Sequence, residues 1–565
     1  MFARDTIKSA KGRLIVWKVG WRESLKGVTV WAAPTQDSPQ TDNADSHTTT
    51  TFLIIMSSNP FKQLAGQTVV YGLGTIVARI LNYLLTPLYV RVFVSDVYGH
   101  FTELYAYIAL FLALLTYGME TTFFRFAKGD DFKKVYGTIM SSIVTTTGVF
   151  VVALVCLFPF VADLVNYDGL EVYILFIGLI VAVDAITAVP FCVLRKSNKA
   201  ARFSLIKLSN VCVNVAVVLF CVLAIPDTCM RLSAKWFGIE GQNGLLVWVF
   251  ISNLVASLCN VLMLLPEFRQ IKWRYDRKLM RELLSYALPI MLINLLGMVN
   301  EVADKVVVRY MVPDRATADA QLGIYGANYK LAVLMTICIQ MFRFASEPFF
   351  FGKAKDRNSP QLFADVMKYF VVCGLLIFLV VTLYIDFFAY FVGGTDAQGM
   401  QYREGLGIVP VVLVANLFYG ITFNLSIWFK LNKKAGYGTV ITGIGAAITL
   451  ICLFCLVPVV GYMGAAIAHL ACYTVMMVVS YLWGQSYLRK LVGTQKNEDL
   501  QLVEPIPYNV KRIAFYFVLA MGVYALSVVA KPSSTALVYV LNTCYILIFL
   551  AVVVLLEKKS KTKMI

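Results

Sequence analysis

The run from Leu284 to Val312 is long and apolar enough to cross a bilayer, yet it holds Glu301, Asp304, Lys305 and Arg309. On a helix turning about 100° per residue, these four and Asn294 share one stripe less than half the circumference wide. A polar stripe inside hydrocarbon must face protein or water. Short carboxylates cannot reach far toward the headgroups, so Glu301 and Asp304 have the chemistry to take up a neutralising H⁺ or Na⁺. Lys305 and Arg309 lie near the end of the run, where they can snorkel or meet an anion. Glu301 and Lys305, one turn apart, are spaced for a local ion pair.

Other charges pose the same problem. Arg79 sits in the middle of an apolar stretch over 64–92, roughly 20 Å from either end, where a bare Arg costs about 2.5–3.5 kcal/mol. Its planar fork of donors suits an oxyanion such as a phosphate; an ion pair with Glu103 or Glu120 is the alternative. Lys330 is a second cation placed for anion binding, and Glu120 a third carboxylate placed for ion coupling. Arg343 and Glu347 are spaced to pair with each other, and Asp184 and Lys207 read as a structural pair between neighbouring helices.

The elements that position these groups follow from composition. A chain of 565 residues with 59% hydrophobic residues, 15% charged and a mean hydropathy of +0.72 lies outside the soluble globular range. The expected fold is all-α and polytopic, with fourteen membrane spans over about 64–92, 98–120, 135–161, 169–193, 200–225, 243–265, 282–311, 321–350, 365–392, 406–429, 436–459, 461–485, 511–530 and 534–556. Pro87, Pro190, Pro289 and Pro410 fall inside spans and are expected to kink them. The net charge of +17 resides in short clusters between apolar segments, which speaks for membrane topology and against nucleic acid. Connections and adjoining helix ends after even-numbered spans, with the C-terminal end, carry 29 Lys and Arg; those after odd-numbered spans carry 7. Both termini are therefore expected in the cytoplasm. No connection is long enough to hold a soluble catalytic domain, so no enzyme activity is expected. The single CxxC, Cys452 to Cys455, lies in an apolar run and the chain has three histidines, so neither a metal nor another cofactor is expected.

Domain organisation follows from a weak internal repeat. VRVFVSD (Val90–Asp96) resembles VRYMVPD (Val308–Asp314) at an offset that pairs Arg91 with Arg309 and Asn82 with Asn300; RKSNKAARFS (Arg195–Ser204) resembles KLNKKAGYGT (Lys430–Thr439). These place spans one to six over seven to twelve as two lobes in parallel orientation, a plan suited to alternating access. The boundaries are 56–270 for the N-terminal lobe, 271–490 for the C-terminal lobe, and 491–565 for a linker with spans thirteen and fourteen. Residues 1–55, polar and aperiodic, read as a disordered tail or as sequence upstream of a start at Met56.

The run ADKVVVRYMVPDRATADAQLGIYGANYKLA (Ala303–Ala332), with Gly323, Tyr325, Tyr329, Lys330 and Leu331 opening the eighth span, resembles the polysaccharide-biosynthesis flippases of the multidrug/oligosaccharidyl-lipid/polysaccharide (MOP) exporter superfamily. Gln67–Val92, with Arg79 and Pro87, and YGHFTELYAYIALFLALLTYGMETTFFRF after it resemble that family too. The resemblance covers roughly Pro60–Glu557. It implies a flippase of the bacterial cytoplasmic (inner) membrane that moves an undecaprenyl-pyrophosphate-linked oligosaccharide from inner to outer leaflet, among membrane lipids and with H⁺ or Na⁺ as a coupling partner. On that reading Arg79, Lys330, Arg309 and Lys305 are the substrate-binding candidates and Glu301, Asp304 and Glu120 the ion-coupling ones. The rivals are a multidrug cation antiporter, whose cavity should be acidic on balance, and a flippase of the peptidoglycan precursor lipid II. A membrane glycosyltransferase or polymerase fits less well, for want of a soluble domain.

Overall fold

The structure, a computed structural model, describes residues 4–8, 13–17, 76–127, 131–354, 356, 358–393, 397–496, 499–530, 532 and 534–562. Thirteen helices among them are long and apolar enough to cross a membrane. They are α2 (Ser95–Phe126), α3 (Phe132–Leu164), α4 (Glu171–Lys196), α5 (Ala200–Ala224), α6 (Gly241–Met263), α7 (Arg277–Met311), α8 (Val333–Lys353), α9 (Ser359–Leu383), α10 (Ala397–Leu431), α11 (Ala435–Val460), α12 (Tyr462–Lys490), α13 (Val510–Val529) and α14 (Thr535–Lys559). The first expected span is described from residue 76: a helical stretch over 76–84 continues after a turn at Leu85 as Thr86–Val92, together α1. Its first turns lie outside the described residues. The protein is thus an all-α, multi-pass membrane protein. Of the tail, the described part is an antiparallel hairpin that pairs Arg4–Lys8 with Arg13–Trp17; the expectation of disorder for the rest of 1–55 lies outside the described residues.

Several spans depart from single straight helices. Helix α2 turns an elbow at Tyr117 and Gly118, both at positive φ. A Cβ on Gly118 would stand 2.6 Å from the carbonyl oxygen of Ala287, so the elbow requires glycine both for its φ and for its approach to α7. The eighth span, expected over 321–350, is two segments: Ala318–Leu331 leads into Val333–Lys353 through Ala332, both taken below as α8. Pro190 and Pro289 lie within continuous helices. Pro87, by contrast, occupies the first turn of Thr86–Val92, and Pro410 follows the 3₁₀ turn Glu404–Gly407 at the start of Ile408–Leu425. Those two start helical segments, where the missing N–H is harmless. A surface helix, Pro226–Phe237, links α5 to α6 where a loop was expected.

The pseudo-two-fold plan is visible where α2 crosses α8. A Cβ on Gly99 would stand 2.1 Å from the carbonyl oxygen of Asp319, and one on Gly323 would stand 1.9 Å from that of Ser95. Ser95 and Gly99 are each related to Asp319 and Gly323 by the same step of 224 residues. Each lobe therefore lays a glycine on its partner's backbone, the close approach that small residues permit in membranes. Outside this repeat, α13 and α14 pack on α9. There Lys368 meets Glu557 at 2.6 Å, and Arg512 and Tyr516 reach the same carboxylate.

Candidate substrate cavity and ion site

Where α1 and α7 finish, the outer end in the expected orientation, the two lobes are bolted together. Arg309 of α7 places Nη1 2.9 Å from Glu103 Oε2 on α2 and Nε 2.6 Å from Asp319 Oδ1. It also donates to the carbonyls of Val165 and Asn166 and stacks 4.1 Å from the Tyr167 ring centroid. Glu103, fully buried, accepts further from Tyr167 OH at 2.7 Å and Tyr107 OH at 2.9 Å, and Tyr310 joins Tyr107. Helix α1 docks on the same end: Gln398 and Tyr402 of α10 donate to the carbonyl of Phe93, and Arg91 to that of Tyr390. Both carboxylates near Arg309 are thus engaged by it, and the Glu103 considered for Arg79 belongs to this lock.

Deeper in the C-terminal lobe, Asp304 is fully buried and surrounded by donors. Lys305 Nζ lies 3.1 Å from its Oδ1 and 3.2 Å from its Oδ2, Tyr325 OH donates to Oδ2 at 2.5 Å, and His469 Nε2 of α12 lies 3.1 Å from Oδ2. Lys305 also donates to the carbonyl of Glu301 and sits 4.3 Å from the Tyr329 ring centroid. The spacing had paired Lys305 with the Glu301 carboxylate. Instead the lysine folds onto Asp304, whose burial leaves it in greater need of a counter-charge. One turn earlier, Asn300 is held by the Thr442 carbonyl and the Thr449 hydroxyl.

That substitution leaves Glu301 exposed in mid-helix. Arg79 on α1 and Tyr419 on α10 lie within its electrostatic reach, and Arg343 on α8 lies within that of both Arg79 and Tyr419. Arg79 and Arg343 are exposed as well, and charges carried on membrane spans are expected to face water or protein rather than lipid. Among the described residues, neither Arg79 nor Lys330 makes a hydrogen bond or an ion pair through its side chain, and Lys330 is half-buried beside Lys305. Arg343 rests 5.1 Å from the Phe423 ring centroid. Glu347, expected to pair with it, is taken by Lys430 of α10 at 2.9 Å: the span-to-span neighbour is the nearer one once α8 packs on α10.

Glu120 stands apart, in the N-terminal lobe. Its carboxylate lies 3.8 Å from Cys192 Sγ, within electrostatic reach of Arg195 and Lys207. Asp184 accepts from Ser257 at 2.7 Å, and Lys207 lies 4.1 Å from the Phe191 ring centroid between the two carboxylates. The structure thus brings Arg79 within electrostatic reach of Glu301, and Lys330 beside the Lys305 that pairs with Asp304, and sends Arg309 to the lock and Glu120 to the other lobe. His469, Tyr329 and Tyr419 were not singled out from the sequence. His469 is the one histidine inside a predicted span of the second lobe, and that was the available signal.

Helical lobes crossing on a pseudo-two-fold axis are a fold shared with solved transporter structures. Lipid II flippase MurJ in an inward-closed conformation superposes with a TM-score of 0.61 at 14% identity, over 86% of this chain and 98% of that one. An inward-facing MATE multidrug transporter of the MOP superfamily gives 0.52 at 14% identity over 78% and 97%, and a Vibrio cholerae MATE transporter 0.51 at 14% over 76% and 96%. No curated protein matches. Residues 64–351 match the family described as polysaccharide biosynthesis protein. The chain belongs to that family.

Proposed function

We propose that the protein is a flippase that carries a lipid-linked oligosaccharide from the inner to the outer leaflet of the bacterial cytoplasmic membrane, with both termini in the cytoplasm. The observation that carries this reading is the pair of cations Arg79 and Lys330, whose side chains make no hydrogen bond or ion pair among the described residues, with Glu301 the acidic group within electrostatic reach of Arg79. Two cations in low-dielectric surroundings are costly while empty and well matched to a pyrophosphate. The head group enters from the cytoplasmic side while the Arg309 lock holds the outer end shut. The glycan occupies the wet cleft and the lipid tail stays in the bilayer. Release requires the lock to open and the cytoplasmic side to close, the alternating-access scheme. The protein's chemistry is positioning and charge; no bond is made or broken, so it is a transporter and not an enzyme.

A multidrug cation antiporter would need the cleft to be acidic, and it carries more basic side chains than acidic ones. In cells deleted for the gene, Arg79→Ala and Lys330→Ala are expected to reach the membrane at normal level and to fail to restore surface polysaccharide. Full restoration by both would remove the cleft cations from the mechanism. Loss of cell-wall synthesis instead of surface glycan would assign the substrate to the peptidoglycan precursor.

A further inference from the structure

Two buried cysteines meet at the outer end of α5, and we infer that Cys221 and Cys229 are joined as a disulfide in the mature protein, a staple that fastens the surface helix Pro226–Phe237 to the span before it. The inference goes beyond the transport reading and rests only on the orientation proposed with it. Helix α5 ends in a π turn, Phe220–Ala224, a local irregularity that recurs in helices at sites with a role. The chain turns at Ile225, and Pro226 starts the surface helix. Cys221, 4% exposed, lies before this turn and Cys229, fully buried, after it, both in the core that also takes Trp248. Their thiols lie within hydrogen-bond reach of each other.

Position separates this pair from cysteines that merely fill space. The connection from α5 to α6 follows an odd-numbered span and so lies on the outer face in the proposed orientation, the side where disulfides form and persist. Cys338 and Cys373 also lie within reach of each other, yet they sit near the middle of α8 and α9, where no water-borne oxidant reaches them. The oxidant is a disulfide of the outer compartment, borne by a thiol oxidoreductase or a small thiol. One cysteine thiolate attacks it and displaces one thiol; the second cysteine attacks the mixed disulfide and displaces the other. Two protein thiols and one oxidant disulfide become one protein disulfide and two oxidant thiols, so two electrons and two protons pass to the oxidant. Burial does not block this step, because the cover comes later in the chain. Trp248 of α6 donates through Nε1 to the Cys229 carbonyl and to Ser233 Oγ, both at 3.0 Å, and Ser233 donates to the Gly244 carbonyl at 2.7 Å. Both cysteines leave the ribosome before that cover does. The closed ring restrains the unfolded chain and holds the π turn and the surface helix as one piece.

The test uses the full chain in the membranes of a bacterium whose outer compartment is oxidising. Thiols are trapped in acid and blocked in denaturant with N-ethylmaleimide, the protein is reduced, the newly freed thiols are labelled with iodoacetamide, and the peptides are weighed. The expected result is iodoacetamide on Cys221 and Cys229, and N-ethylmaleimide on Cys338, on Cys373 and on Cys212, which is exposed on α5 itself. Reduction, confirmed by mass, should lower the thermal unfolding midpoint of the wild type and leave that of Cys229→Ala unmoved; a wild-type midpoint that does not fall would overturn the staple. Lys235→Cys, at an exposed position of the surface helix, reports orientation through a membrane-impermeant maleimide added from outside. Labelling there, with Cys221 and Cys229 both blocked by N-ethylmaleimide, would overturn the disulfide and leave the orientation standing. No labelling from outside would overturn the orientation, and the disulfide proposal with it.

Discussion

At the scale of residues, Arg309 is tied to Glu103 and Asp319, Asp304 to Lys305, Tyr325 and His469, and Arg79 and Lys330 are the groups proposed to bind substrate. Removing one partner of the first cluster should be severe, because Glu103 would be left as a lone buried charge. Arg309→Met is expected to destabilise the fold by about 3–5 kcal/mol, with Arg309→Met plus Glu103→Gln recovering most of it, as read from thermal unfolding in detergent. Equal losses in the single and double variants would show that the ion pair is not what matters. The stripe of α7 was legible in the sequence because hydrocarbon makes every charge conspicuous. Its partners were not, since Glu103 and His469 come from other spans and only packing selects Asp304 over Glu301 for Lys305. The same limit explains Glu347, which turned to Lys430.

At the scale of elements, the crossing of α2 and α8 is the device that brings the lobes to contact at the outer end. The side chain that Gly99→Leu or Gly323→Leu adds must displace a backbone carbonyl standing about 2 Å from the new Cβ, so either should spread the outer end. A cysteine placed at the cleft surface of α7 in a cysteine-free chain is expected to become accessible to a membrane-impermeant thiol reagent from outside in those variants; unchanged protection would contradict the crossing's role. The repeat in VRVFVSD and VRYMVPD pointed to this architecture. The symmetric Ser95/Gly99 and Asp319/Gly323 steps were also present in the letters, but a glycine's meaning depends on what approaches it, which needs the fold. Breaks such as Ala332 and the elbow at Gly118 were hidden for the opposite reason: a membrane span stays apolar whether or not its helix is continuous.

At the scale of the molecule, the lobes meet at the end where α1 and α7 finish, and the account stands or falls on whether Arg79 and Lys330 bind the head group. The direct measurement is binding of undecaprenyl pyrophosphate to the full chain in nanodiscs, against Arg79→Ala, Lys330→Ala and the double variant. A lost charge-assisted contact is worth about 1.5–3 kcal/mol, and each ~1.4 kcal/mol is tenfold in affinity. The account predicts that each single variant binds at least about tenfold more weakly, that the double variant loses more than either, and that inorganic pyrophosphate competes with the lipid. Unchanged affinity in a folded, membrane-inserted double variant would contradict it.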